Sequence, residues 1–191
     1  MKYFVRAILA TIIAALLSSC SYNSMVEADE NINAQWAKVE NQYQRRADLV
    51  PNLVNTVKGY AAHESETLEA VIAARSKATQ ITVDPANLTE ENLQKYQEAQ
   101  GELSRALGKL LAITENYPDL KANQNFLELQ AQLEGTENRI ATERSRYTDA
   151  VNAYKKIRKF PALITAKIFG FDAKPQFKAE ASAAQAPTVE F

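Results

Sequence analysis

Three long runs of apolar residues at alternating three- and four-residue steps constrain this chain more than any other feature, because that period belongs to one face of an α-helix. The first extends from about Met25 to Thr79 and passes through Ile32, Trp36, Val39, Tyr43, Val50, Leu53, Val57 and Tyr60. Ile81-Thr82-Val83-Asp84-Pro85 ends it with β-branched residues and a proline. The second runs from Leu88 or Thr89 to Asn116 through Leu93, Tyr96, Leu103, Leu107, Leu110 and Tyr117, with Glu90 and Glu91 in its opening turn. The third starts at Asn123, a good N-cap, and carries Phe126, Leu133, Ile140, Tyr147, Val151 and Tyr154 as far as Phe160-Pro161. A short apolar piece, Ala162 to Phe171, and a tail rich in Ala, Pro and Gln follow. Good helix formers dominate and only five glycines and six prolines interrupt them, so the expected class is all-α.

Pro51 disturbs the first run. Inside a helix it removes one backbone hydrogen bond and crowds the carbonyl four residues back. Asp48 offers a cap for a new start with Pro51 in a first turn, so the run is either one kinked helix or two helices. At 1.5 Å per residue the first run spans roughly 80 Å and the second about 40 Å. A straight first helix would leave Trp36, Val39 and Tyr43 uncovered; a break near Pro51 or a folded-back C-terminal segment hides them. Four-helix packing is expected.

The N-terminus is a different kind of segment. Lys2 and Arg6 precede an apolar run from Ala7 to Leu17, and Leu17-Ser18-Ser19-Cys20 resembles the lipobox of bacterial lipoproteins, whose cysteine receives a diacylglyceryl group. A spanning helix takes about 20 apolar residues whereas signal-peptide cores take about 7–15. The run falls in the shorter class. This predicts a signal peptide over 1–19, lipidation of Cys20, a helical domain over 20–171 and a C-terminal tail over 172–191. The alternative is a single-pass anchor with a free thiol. Loss of Lys2 and Arg6 leaves 20 basic residues against 23 acidic ones, a formal charge of −3, which is no nucleic-acid footprint. In a two-membrane bacterium Ser21, rather than an aspartate, after the cysteine favours the outer membrane over the inner.

Most reactive chemistry has no residues to carry it. A di-iron bundle site needs two Glu-x-x-His motifs, and the chain has a single histidine, His63. A structural zinc site and a His-based triad fail for want of partners, and no glycine-rich phosphate loop is present. No catalytic residue, metal or cofactor is expected. Polar residues do fall on the apolar lines: Arg46, Gln100, Gln130, Glu137 and Arg144. Buried charge is tolerated when paired and hydrogen-bonded. These residues therefore either fix helix register or some of them belong to a polar pocket for a ligand near Pro51, whose candidates are Arg45, Arg46, Asp48, Asn52, Asn55, Glu137 and Arg144.

Two terminal features point outward. Between Lys155 and Lys178 seven basic residues face one acid, Asp172, and alternate with Ile157, Phe160, Leu163, Ile164, Ile168, Phe169 and Phe171. This suits either a membrane-surface helix or a lysine-rich helix end followed by a packing segment. The chain closes Val189-Glu190-Phe191, an alternation before a free carboxylate that suits β-strand addition to a PDZ-type groove, or packing of Phe191 back on the helices.

The run from Gln42 to Tyr60, with Arg45-Arg46-Ala47-Asp48-Leu49-Val50-Pro51-Asn52-Leu53-Val54 at its centre, is similar to the hallmark of the LemA family of bacterial membrane-anchored proteins. Tyr117-Pro118-Asp119-Leu120-Lys121-Ala122-Asn123, Leu133-Glu134-Gly135-Thr136-Glu137-Asn138-Arg139-Ile140, Phe169-Gly170-Phe171 and Pro187-Thr188-Val189-Glu190-Phe191 continue the likeness over about 22–191. The resemblance implies an antiparallel up-and-down four-helix bundle with long helices, held outside a membrane and without enzymatic activity. Most of the family carries an N-terminal transmembrane helix, from which the short core and lipobox depart. The expected role is a lipid-anchored envelope protein working as a scaffold or interaction module. Its expected partners are membrane lipid and an envelope protein, with a ligand-binding protein as the alternative.

Overall fold

Every regular element among the described residues is helical in a computed structural model, which describes residues 2–178, with residues 2, 5–20 and 86 as backbone alone. The elements are α1 (Lys2–Lys58), α2 (Ser65–Gln80), a single 3₁₀ turn (Pro85–Asn87), α3 (Glu90–Thr114), α4 (Pro118–Lys121), α5 (Gln124–Ile157) and α6 (Ala162–Phe169). The chain is all-α. Its boundaries follow local chemistry. Thr89 caps α3, its hydroxyl accepting from the Asn92 amide at 3.2 Å, with Glu90 and Glu91 against the positive helix end. The Asn123 carboxamide does the same at the start of α5, accepting from the Phe126 amide at 3.0 Å.

The first apolar run divides, though not where its proline suggested. α1 continues through Pro51 and ends at Lys58, and the chain turns between Gly59 and Glu64 before α2 begins. The expected break near Pro51 is thus displaced by two helical turns. A proline leaves the carbonyl four residues earlier without its helical donor. That carbonyl belongs to Ala47, and the Arg75 guanidinium of α2 donates Nε–H to it at 2.7 Å. The missing bond is replaced from outside the helix. At the real break, Tyr60 and Ala61 both donate to the Val57 carbonyl at 3.0 and 2.8 Å, closing the helix end tightly after Gly59.

The chain forms two compact units, and α1 and α5 each contribute a part to both. One comprises residues up to Asn41 with Ile140–Lys174. Its core holds Met25, Ile32, Trp36 and Val39 from α1 with Ile140, Tyr147, Val151 and Tyr154 from α5, all nearly inaccessible. Trp36 meets Tyr147 edge-on with centroids 5.6 Å apart, the geometry that ring quadrupoles favour. The segment after α6 folds back here: Tyr154 donates its hydroxyl to the Asp172 carbonyl at 3.0 Å, and Lys174 pairs with Asp29 at 2.9 Å. Gly170, at φ 73°, supplies the left-handed cap that makes this return possible.

The other unit comprises Gln42–Arg139 with residues 175–178. Its core joins Val50, Leu53, Val54 and Val57 of α1 to Leu68 and Val71 of α2, Leu103, Leu107 and Leu110 of α3, Leu120, and Phe126 and Leu133 of α5. Around the turn after α1, Asn123 donates to the Tyr60 hydroxyl at 2.9 Å and Tyr117 donates to Glu64 at 2.9 Å. Along α3, Gln97 exchanges two hydrogen bonds with the Lys178 backbone (2.6 and 3.2 Å), and Lys178 reaches Glu90 at 2.6 Å, holding that carboxyl below its usual range.

Two outcomes follow from this packing. Arg75→Leu strands the Ala47 carbonyl and is expected to cost about 1–3 kcal/mol. The same substitution in a Pro51→Ala background costs less, because the new amide satisfies that carbonyl; a double-mutant cycle by urea unfolding reads the coupling. Burial, with Asp29 and Asp172 nearby, pushes the Tyr154 hydroxyl up to about 12 from 10.0. The fold favours the neutral phenol, so the unfolded chain ionises first. Stability fully present below about pH 10 is therefore lost as pH rises towards about 12, and Tyr154→Phe flattens that decline in unfolding measured against pH.

Candidate functional site

Arg46 is the most deeply buried charged side chain described, 1% exposed, and it lies in the unit built from α1, α2, α3 and α5. Helical spacing explains why it points inward: it stands between Tyr43 and Val50 on the buried face of α1, at three and four residues from each. Its Nη1 donates to Ser104 Oγ at 2.6 Å and to Glu137 Oε1 at 2.9 Å. Its Nη2 donates to the backbone carbonyl of Gln100 at 3.0 Å and to that residue's side-chain oxygen at 2.5 Å. Gln100 in turn donates to the Ala78 carbonyl at the end of α2, at 3.2 Å. The Tyr43 ring lies 5.1 Å from the guanidinium carbon, and Tyr43 meets Tyr96 edge-on at 5.4 Å. Four of five N–H groups are thus satisfied by protein; Nε is buried and has no partner among the described residues.

An arginine stays charged at any physiological pH, so its surroundings must replace the water it has lost. Here one carboxylate, a hydroxyl, an amide oxygen and a carbonyl do so. Glu137 is 40% exposed, which leaves part of the pair in contact with solvent. The arrangement binds its own side chains and presents no open coordination sphere. Of the residues picked out by their position on the apolar lines, the structure brings together Arg46, Gln100 and Glu137.

The others go elsewhere. Gln130 donates to Glu134 one turn along α5 at 3.0 Å. Arg45 and Asp48 are exposed on α1, where Gln44 donates to Asp48 at 2.8 Å. Arg144 lies on α5 in the unit that holds Trp36 and Tyr147. Asn52 and Asn55 line a shallow groove of about 390 Å³ with Thr56, Asn125, Glu128, Leu129 and Gln132. A larger open groove of about 610 Å³ runs between α2 and α3, its rim carrying Glu66, Lys77, Glu102, Arg105 and Lys109. Arg46 lines neither. The side chain of Cys20, and Val189 and Phe191 altogether, lie outside the described residues.

Two contributors escaped the sequence reading. Ser104 follows Gln100 by one helical turn and completes the arginine's shell, yet a lone serine between Leu103 and Arg105 carries no signal of its own. Arg75 had one available clue, since Pro51 implies an orphaned carbonyl at Ala47, though nothing in the sequence says which donor finds it. Among the described residues no group of three or more His, Cys, Asp and Glu is placed to hold a metal, and no helix is long and apolar enough to cross a membrane.

Comparison with known proteins gives a consistent picture. The model of the LemA family matches residues 35–191. Magnetosome proteins MamQ 1 and MamQ 2 of Paramagnetospirillum magneticum are each 28% identical over 186 residues, covering 88% of this chain and 68% of theirs. Protein LemA of Metamycoplasma hominis is 26% identical over 139 residues, covering 72% of this chain and 60% of its own.

Removing one side of the arginine cluster is expected to destabilise without loss of helix. Glu137→Ala should cost about 3 kcal/mol, the low end for a broken buried pair, because it leaves the buried guanidinium without its counter-charge. Arg46→Met should cost less, about 2 kcal/mol, because the carboxylate it leaves is 40% exposed and screened by solvent. Replacing Arg46, Gln100 and Glu137 together by Met, Leu and Leu should recover much of that loss. Urea midpoints at unchanged slope are the measurement.

Proposed function

Since the chain belongs to the LemA family, we propose that it is a non-enzymatic scaffold or protein-interaction module held at a bacterial envelope membrane by a lipid on Cys20. The observation that carries this reading is the Arg46 cluster: its polar groups are spent on one another, joining α1, α3 and α5, instead of being presented to a substrate. The two grooves described above are open to solvent. The relatives' names state no reaction either.

We further propose that the unit around Arg46 is an up-and-down four-helix bundle made from the end of α1 with α2, α3 and α5. Its contact order supports this. Tyr43 and Arg46 of α1 meet Tyr96 and Gln100 in the same order on α3, whereas Lys77 and Ala78 of α2 meet Glu102 and Gln100 of α3 in opposite order. Glu137 and Asn123 of α5 meet Arg46 and Tyr60 in opposite order. A second reading, a ligand-binding protein, draws on Asn52 and Asn55 lining one groove with Asn125 and Gln132.

Crosslinking the full chain in envelope membranes tests the proposal. A reproducible protein partner is expected, together with metabolic incorporation of a fatty-acid analogue that Cys20→Ser abolishes. Fractionation with the membrane without any label would transfer the anchor to a single span. A small molecule co-purifying with the wild type, and lost on Asn52→Ala with Asn55→Ala, would favour the ligand reading.

A further inference from the structure

α6 is built inside out. In a helix lying on a globular protein the large apolar residues face the core and the small or polar ones face water. Here the buried residues are Thr165 and Ala166, while Ile164, Ile168 and Phe169 are 56%, 71% and 57% exposed. Phe160, just before the helix, is 80% exposed, and Leu163 is 37% exposed. A patch of this size and continuity on a soluble surface marks a contact with something else.

Its surroundings say what kind of contact. Lys155, Lys156, Lys159 and Lys167 are exposed at the end of α5 and on α6 itself. Exposed apolar side chains interleaved in sequence with exposed lysines suit an anionic lipid surface, into which the former sink and at whose phosphates the latter remain. Position agrees. Tyr22 of α1 stacks edge-on against Phe169 and Phe171, with centroids at 4.9 and 5.6 Å. Tyr22 stands two residues after Cys20 in the chain, so the patch is tied to the first residues after the expected point of attachment. Amphipathic aromatic rings favour the level of lipid headgroups.

We propose that the outward face of α6, with Phe160 and the four lysines, rests on an anionic bilayer surface and orients the protein on the membrane that anchors it. The orientation rests on the anchored reading above. The immersion of α6 does not, because it rests on the exposed apolar residues of α6 whatever the anchor.

The test uses the full chain reconstituted in vesicles of phosphatidylcholine with and without phosphatidylglycerol. A nitroxide on Ile168→Cys, with the signal of the unsubstituted chain subtracted, reports depth through its accessibility to oxygen and to a water-soluble nickel chelate. A label on Ile72→Cys, an exposed position of α2, is the aqueous control. On anionic vesicles the 168 label is expected to gain oxygen and lose chelate accessibility while the 72 label stays aqueous. Reversing the four lysines to Glu should weaken that residence by roughly fivefold per lysine. A 168 label as open to the chelate as the 72 label overturns the proposal. So does equal immersion in neutral vesicles, or a label already shielded before vesicles are added in a chain of dimeric mass. The two readings fail separately: a wild type that takes up no fatty-acid label while residue 168 is still immersed would defeat the acyl anchor and leave the α6 assignment standing.

Discussion

A guanidinium that is 1% exposed dictates the arrangement of the unit around it. Desolvating a permanent charge is costly enough that its ligands must be in place whenever the unit is folded. Arg46 draws them from α3 and α5, and Gln100 passes the connection on to α2 through the Ala78 carbonyl. A slip of one residue would put Leu103 or Arg105 where Ser104 stands on α3, and Thr136 or Asn138 where Glu137 stands on α5, in each case losing an oxygen ligand or the counter-charge. Apolar packing alone would accept shifts of a whole helical turn, since Leu103, Leu107 and Leu110 are interchangeable in chemistry. The arginine accepts one.

Pro51 and Arg75 apply the same logic to the backbone. Proline deprives a carbonyl of its donor, and a side chain from α2 supplies another. The helix continues, and its defect becomes an attachment point between helices. The unit around Trp36 uses different means: edge-on aromatic rings, the half-buried pair of Lys174 with Asp29, and the Tyr154 hydroxyl on a returning strand of backbone. Burial of two tyrosines, Tyr147 and Tyr154, raises both hydroxyls well above their ordinary value, so stability of this unit is expected to fall in alkali.

The polar groups of the described residues are mostly accounted for by packing and by solvent. The polar groups that a sequence reader would assemble into a pocket are either occupied with one another, as Arg46, Gln100 and Glu137 are, or dispersed over the surface, as Arg45 and Asp48 are. What remains conspicuous is the exposed apolar face of α6, which a protein free in water would bury. Function of a docked or scaffolding kind concentrates on such surfaces.

The helical class, the start of α3 at Thr89 and of α5 at Asn123, and nearly the whole buried face of each long helix were legible from apolar spacing and capping residues alone, because both are local properties of the chain. The candidacy of Arg46, Gln100 and Glu137 was legible as well, from polar residues on apolar lines. The position of the break in the first run was not. Pro51 carries the stronger local signal, yet the helix ends after Lys58, because a donor 28 positions away in the chain repairs the proline's defect. Nor could spacing separate Arg144 from Arg46, which share a pattern and fall in different units. Local sequence determined which faces are apolar and where helices begin. Only the tertiary structure decided which polar groups satisfy one another, because hydrogen bonds between distant residues depend on where each helix is placed.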